Sequence, residues 1–366
     1  MKVAMLSPSR ESEKAISGYS SYLVNSLNNN NANVKYIPYD AGSLKSFFKV
    51  LNKIEKCDAV HIQHEYNLFG YYGLPFFFIH PFLKLIKKKK IVTTMHTVLS
   101  QKEKFKDNPL KTVLRKILYF TQNRVINWTS DKIIVHADFF RDILEKEYNI
   151  KKEKIVVLPQ GVIDNIKITP KSKAKKELNL SGKVYLIIGN LVPDHGADII
   201  LKEANKIGKT ILVVANPNAV NDRKQKRLAD YINYCMRHVK EKGFSKYVRF
   251  DIKPISDVRP RWWLYFSAAD LVLQPYKGGV GSGIFTHAMA TRTPVIASNI
   301  SFFREISKKY GCIKISKTEE DYPKVIKEAM KKENYQKMVS ECGKYSKENS
   351  WSNVSKKYIK IYSTLN

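Results

Sequence analysis

Carboxylates are scarce in this chain: 33 Asp and Glu stand against 64 Lys and Arg, a formal net charge of +31 over 366 residues. That imbalance predicts attraction to phosphates, anionic lipid headgroups or nucleic acid, although a solvated lysine-rich surface accounts for the same count. No apolar run is long enough to cross a bilayer, and Lys2-Val-Ala-Met-Leu6 enters a strand pattern where a signal peptide would need another layout. A cytoplasmic protein is therefore expected. Cysteine is sparse, and Cys57, Cys235, Cys312 and Cys342 lack metal-ligand spacing, which argues against zinc and disulfides. Repeats of solenoid period are missing too, and the one biased stretch is Asn28 to Asn33.

What is present is a folded chain's composition, with 43% hydrophobic residues and 21 Tyr, at a length that suits two domains. Apolar strand-like runs alternate with helical periodicity: Lys2 to Leu6, Val34 to Ile37, Ala59 to Glu65, Ile91 to Val98, Lys132 to His136 and Ile155 to Leu158 in the first half. A polar, lysine-rich tract from Asp164 to Lys183 has the composition of a linker, and Val184 to Ile188 restarts the pattern. Further strands are expected at Ile211 to Ala215, Tyr247 to Phe250, Asp270 to Leu273 and Pro294 to Ala297. The fold class is α/β, with two doubly wound, Rossmann-like domains (1–165 and 166–350) facing each other across a cleft.

The stretch from Leu271 to Ser298 reads as strand, loop, helix, strand. Its loop holds Gly278, Gly279, Gly281, Ser282 and Gly283, and the helix that follows offers unpaired N–H groups and a positive dipole end. It is either a seat for a phosphate or an ordinary flexible loop beside a buried helix. Gly18, where a helix begins beside a strand end, reads as a backbone approach to a ligand or as a turn glycine. His64 and Glu65 close one strand and His96 closes the next, so in an open α/β sheet all three would face one crevice. That convergence points to sugar binding or catalysis, against a structural role for each histidine. Metal binding is not expected, because no third and fourth ligand stand at regular spacing.

Two segments join apolar bulk to a cationic edge: Leu74 to Lys90, ending in four lysines, and Leu110 to Trp128, with Lys111, Arg115 and Lys116. They suit helices lying on an anionic membrane surface, or core helices whose lysines are simply solvated.

His61 to Gly70, Thr94-Met-His-Thr97, Val157 to Val162, Gly189 to Gly196 and the unit from Ser282-Gly283 to Ser298 resemble, in order and spacing, the family-four glycosyltransferases. The resemblance covers nearly the whole chain, including a C-terminal helix from Trp351 that in such proteins crosses back to the first domain. It implies the GT-B fold and a metal-independent, retaining transfer of a hexose from a nucleotide sugar such as a UDP- or GDP-hexose, with no cofactor. The donor would lie mainly on the second domain and the acceptor on the first. By that resemblance Ser282, Gly283 and Thr286 would cradle the donor phosphate, Lys277 would neutralise it, and Gly18 would approach it. His64, Glu65 and His96 would line the sugar side. The family's Arg and Lys in the turn from Gly189 are absent here, with Asn190 or Val192 and His195 in their places, and its paired glutamates fall at Val280 and His287. His195 and His287 would replace the missing charges in part. The expected partners are a nucleotide sugar, a glycan or lipid-linked acceptor and the inner membrane face, and nucleic acid is not among them because no nucleic-acid module is present. The alternative is a catalytically silent GT-B protein that binds a sugar nucleotide or scaffolds an enzyme.

Overall fold

The computed structural model describes residues 1–11, 14–40, 43–66, 68, 73, 76–103, 105, 108–218, 222–255, 258–279 and 281–365. Val280, Asn67, Phe69 and Gly70 of the motif from His61, and Leu74 and Pro75 of the expected interfacial segment lie outside the described residues.

The chain divides into two units, Met1–Gly161 with Trp351–Asn366, and Val162–Ser350. The boundary lies a few residues before 165 because Val162 is tied to the end of the second unit, its N–H donating to Asn349 O at 2.7 Å. In the first unit, strands β1 (Lys2–Pro8), β2 (Asn33–Tyr39), β3 (Ala59–His64), β4 (Lys90–Met95), β5 (Lys132–Val135) and β6 (Ile155–Val157) form one parallel sheet in the order β2-β1-β3-β4-β5-β6. The second unit builds another from β7 (Val184–Gly189), β8 (Thr210–Ala215), β9 (Val248–Ile252), β10 (Leu271–Gln274), β11 (Val295–Ser298) and β12 (Ile313–Ser316), in the order β12-β11-β10-β7-β8-β9. Helices cover both faces of such sheets, which is why β3 and β10 are buried at every position.

The C-terminal helix Trp351–Ser363 belongs to the first unit. It joins the Lys14–Asn29 helix through Tyr358 and Tyr19 (O···O 2.7 Å) and Ser355 and Ser26 (2.9 Å), and it reaches β3 through Tyr362, whose hydroxyl lies 2.6 Å from His61 Nδ1. Gly161 makes room for it: a Cβ there would lie 2.1 Å from the Trp351 ring.

The tract expected to be a linker contains a helix, Lys171–Glu177. Its lysines explain the fold there. Asp270, buried just ahead of β10, takes Lys175 Nζ at 2.7 Å, Lys171 Nζ at 3.3 Å and the Val184 N–H at 2.9 Å. Burial alone would raise this carboxyl, but the Lys175 hydrogen bond, the Val184 N–H and the lysine charges hold it below the usual range. In an Asp270→Ala variant the lysines can turn to water while the Val184 N–H is orphaned. The second unit should then lose about 2 kcal/mol in urea unfolding, and a loss within experimental error would contradict this tie.

Candidate functional site

In the second unit the winding reverses between β7 and β10: β8 and β9 continue on one side, β11 and β12 on the other. Beyond the carboxyl ends of those two strands opens a pocket lined by Gly189, Asn190, Leu191, His195, Gln274, Pro275 and Tyr276. This is the place in an open α/β sheet where ligands bind. One wall is the turn after β7, where Gly189 and Gly196 take positive φ (120° and 65°). His195, in the short 3-10 turn Pro193–His195, stacks on Tyr276 with centroids 4.6 Å apart. Its Nδ1–H donates to Asn190 O at 2.6 Å, so Nε2 carries a lone pair. Burial lowers its pKa, offset only in part by the Asn190 carbonyl and Asp194, and the ring is neutral at neutral pH. It can therefore accept a hydrogen bond but does not supply the positive charge expected of it.

The helix Gly283–Ala290 begins against this pocket: Ile284 packs on Gly189, and Gln274 Nε2 donates to Ser282 Oγ at 2.9 Å. Ser282 is buried and caps the helix, its Oγ accepting from the Phe285 N–H at 3.2 Å. Thr286 turns its hydroxyl back to Gly283 O at 2.8 Å. Both hydroxyls serve the helix itself, and of its first residues Gly283 is exposed. Ser282→Ala should cost the second unit about 1–2 kcal/mol, since the cap is lost and the Gln274 amide loses its acceptor; an unshifted melting temperature would count against the cap.

Lys277, expected to meet a phosphate alone, is paired with Asp198, its Nζ 3.0 Å from both carboxylate oxygens. Burial would raise the Asp198 carboxyl, but hydrogen bonds from Tyr231 and Lys277 outweigh it and lower the pKa. His287 stands among Trp262, Trp263 and Phe266 and accepts the Trp262 Nε1–H at Nδ1 (3.2 Å), which leaves its proton on Nε2. The sequence reading missed Asp198, Gln274, Tyr276 and Trp262. Gln274 and Tyr276 lie in the glycine-loop stretch, whereas nothing local marks Asp198.

In the first unit the expected residues separate. His64 is fully buried, packed by the rings of Tyr66 (5.5 Å) and Phe76 (5.0 Å), and burial pushes its pKa down to about 3. It is a core residue of β3, not a liner of the sugar side. Glu65 accepts from Thr97 Oγ1 and from the Tyr66 N–H, bracing the loops that follow β3 and β4. His96 is half-buried and donates Nε2–H to Gln63 Oε1 at 2.8 Å, leaving Nδ1 as an acceptor. Its pKa is held well below the ordinary value, first by burial and then by neighbouring His136, His64 and His61. Gly18 lies inside the Lys14–Asn29 helix, not at its start, and a Cβ there would meet nothing within 4 Å. His136, unremarked in the sequence, ends β5 as His96 ends β4; the rings lie 5.1 Å apart, both against Tyr19. The recurrence of histidine at successive strand ends was a signal that could have found it.

Residues 2–165 match the family description Glycosyltransferase Family 4, and residues 168–349 match Glycosyl transferases group 1. The chain is a family 4 glycosyltransferase. Among curated relatives of this glycosyltransferase is the D-inositol 3-phosphate glycosyltransferase of Corynebacterium urealyticum, 24% identical over 256 residues; the match covers 64% of this chain and 57% of that protein. Among solved structures, Anabaena Alr3699/HepE in complex with UDP-glucose aligns with a TM-score of 0.74 at 14% identity over 100% of both chains. WaaG, a glycosyltransferase involved in lipopolysaccharide biosynthesis, aligns at 0.66 and 13% over 98% of this chain and 99% of its own. At such identities the likeness shows the fold alone: GT-B, with two Rossmann-like domains.

Proposed function

We propose that this glycosyltransferase moves a hexose, with retention and without a metal or other cofactor, from a nucleoside-diphosphate sugar to a lipid-linked or other glycan acceptor at the cytoplasmic membrane face. The observation that carries the donor half is the pocket at the reversal point between β7 and β10, with the Gly283–Ala290 helix start against it. Amides there would receive the diphosphate as its charge develops, and Lys277, with three N–H donors of which two meet Asp198, would offer the third. Asn190 and His195 would border the donor, and His287 would donate from Nε2 to a hydroxyl. His96 Nδ1 would accept a hydroxyl of the transferred sugar. The UDP-glucose bound by HepE and the naming of WaaG for lipopolysaccharide biosynthesis support the donor class and a lipid-borne acceptor. The positive charge supports an anionic surface.

A second reading, a silent binder of sugar nucleotides, is favoured by a neutral His195 where the family has a lysine and by the pairing of Lys277 with Asp198. Calorimetric titration with UDP, UDP-glucose and GDP-mannose, followed by a turnover assay with membrane-lipid acceptors, tests both. Binding with transfer or donor hydrolysis supports the enzyme, binding without either supports the silent form, and no binding overturns both.

A further inference from the structure

The helix Pro109–Thr129 carries an apolar stripe on its outer side. Tyr119, Gln122, Asn123, Ile126 and Thr129 are its buried residues, while Leu110, Val113, Leu114, Ile117, Phe120 and Trp128 are exposed. The exposed six recur at helical spacing and form one stripe; Leu110 is 69%, Ile117 57% and Trp128 56% accessible. Exposing so much aliphatic and aromatic surface on one side of a helix is not what water alone would select.

The elements packed beside this helix expose apolar side chains as well. The Phe76–Pro81 helix and the π-helical turn Phe82–Ile86 pack beside its C-terminal end, where His80 Nδ1 meets Thr129 Oγ1 at 3.0 Å and Lys84 Nζ meets Asp131 at 2.9 Å. They expose Phe78, Leu85 and Ile86. Of the four lysines that follow, Lys87 and Lys89 are tied to Glu55 and to the carbonyls of Glu55 and Cys57, while Lys88 and Lys90 point into solvent. Neither 76–90 nor 109–129 contains a carboxylate, and exposed Lys111 and Arg124 add to the cationic rim. Among the described residues no helix is long and apolar enough to cross a membrane, so the surface would lie on a bilayer instead of spanning it.

We propose that this face of the first unit is a docking surface for an anionic bilayer, with Ile117, Phe120, Trp128, Phe78 and Ile86 entering the headgroup boundary and Lys88, Lys90 and Lys111 meeting lipid phosphates. The apolar stripe supplies insertion and the cationic rim selects the charge of the lipid. A protein partner with a matching apolar face would have no need of Lys88, Lys90 and Lys111 beside it, lysines left unpaired among the described residues. The inference deepens the membrane-face part of the proposed function and rests on it, but not on the donor chemistry.

The test is co-sedimentation of the full chain with phosphatidylcholine vesicles, with and without about one third phosphatidylglycerol. The expected result is binding to the mixed vesicles, at least tenfold weaker binding to the neutral ones, and a blue shift of Trp128 emission that Trp128→Phe removes. Leu114→Ser with Ile117→Ser should reduce binding about tenfold, as should Lys88→Gln with Lys90→Gln and Lys111→Gln. All these residues are exposed, so melting temperature and UDP affinity should stay unchanged. That separates failure here from failure of the donor site. Equal affinity for both vesicles, no vesicle binding, or a dimer in light scattering that the serine pair dissociates would each overturn the proposal.

Discussion

A Gly196→Ala variant is expected to lose nucleotide binding and at least 3 kcal/mol of stability in the second unit, roughly the range reserved for strained or clashing sites. Gly196 takes φ 65° and ψ 25°, a left-handed conformation that disfavours any side chain by about 1 kcal/mol. Steric overlap costs more. A Cβ at this position would lie 2.0 Å from Pro275 O and 3.1 Å from Ile199 Cδ1. The first obstacle is backbone, and its residue has a ring-fixed φ, so neither rotamer change nor local sliding relieves the overlap. Gly196 follows the turn that carries Asn190 and His195, and Pro275 lies on the opposite wall of the pocket. Forcing the two apart therefore alters the pocket even where the unit still folds. Urea unfolding and UDP calorimetry on the same preparation check this, and a wild-type melt with wild-type affinity would show that the turn is not clamped.

Acid should destabilise the first unit steeply, beginning just below pH 6.5. His61, His64, His80, His96 and His136 lie in that unit, and burial lowers the pKa of each, to about 3 for His61 and His64 and about 4 for His136. All five are neutral in the folded state near neutral pH, and above about pH 6.5 they are neutral in the unfolded chain as well, so stability there does not depend on them. Below that value the unfolded chain binds protons that the folded one refuses. Each such histidine then removes about 1.4 kcal/mol per pH unit until its folded pKa is reached. Three or more acting together amount to about 4 kcal/mol per pH unit, enough to exhaust an ordinary domain's stability between roughly pH 5 and 4. His61 ties β4 to the C-terminal helix through Thr94 (2.7 Å) and Tyr362 (2.6 Å). Melting temperatures followed from pH 8 to 4 should be flat and then fall. His64→Phe, which fits among the neighbouring aromatic rings, should shallow the fall by one histidine's share. An identical pH profile in that variant would refute the assignment.

The alternation of strands and helices was legible in the sequence because parallel strands buried on both faces are continuous apolar runs, as in Ile133 to Val135 and Val184 to Ile188. The same reasoning failed for β12. At the edge of its sheet it needs only Ile313 and Ser316 buried, and Ile313-Lys-Ile-Ser316 carries no run to notice. The linker reading of Asp164 to Lys183 failed for a different reason: Lys175 is made structural by Asp270, ninety-five positions away. The family resemblance was legible as ordered motifs, and so was the position of each histidine at a strand end. Whether such a histidine faces a ligand or the core was not, because spacing fixes position and not burial: His64 is sealed among rings while His96 stays half-open. Lys277 shows the same limit, since the charge expected for a phosphate is shared with Asp198 of the helix Ala197–Lys202. Composition marked Leu110 to Trp128 as apolar and basic. Only the packing of Tyr119, Gln122, Asn123, Ile126 and Thr129 inward decided which of its apolar residues face out. Local periodicity determines which elements form, whereas contacts between residues far apart in the chain decide which groups are desolvated, and desolvation sets charge state, hydrogen bonding and exposure.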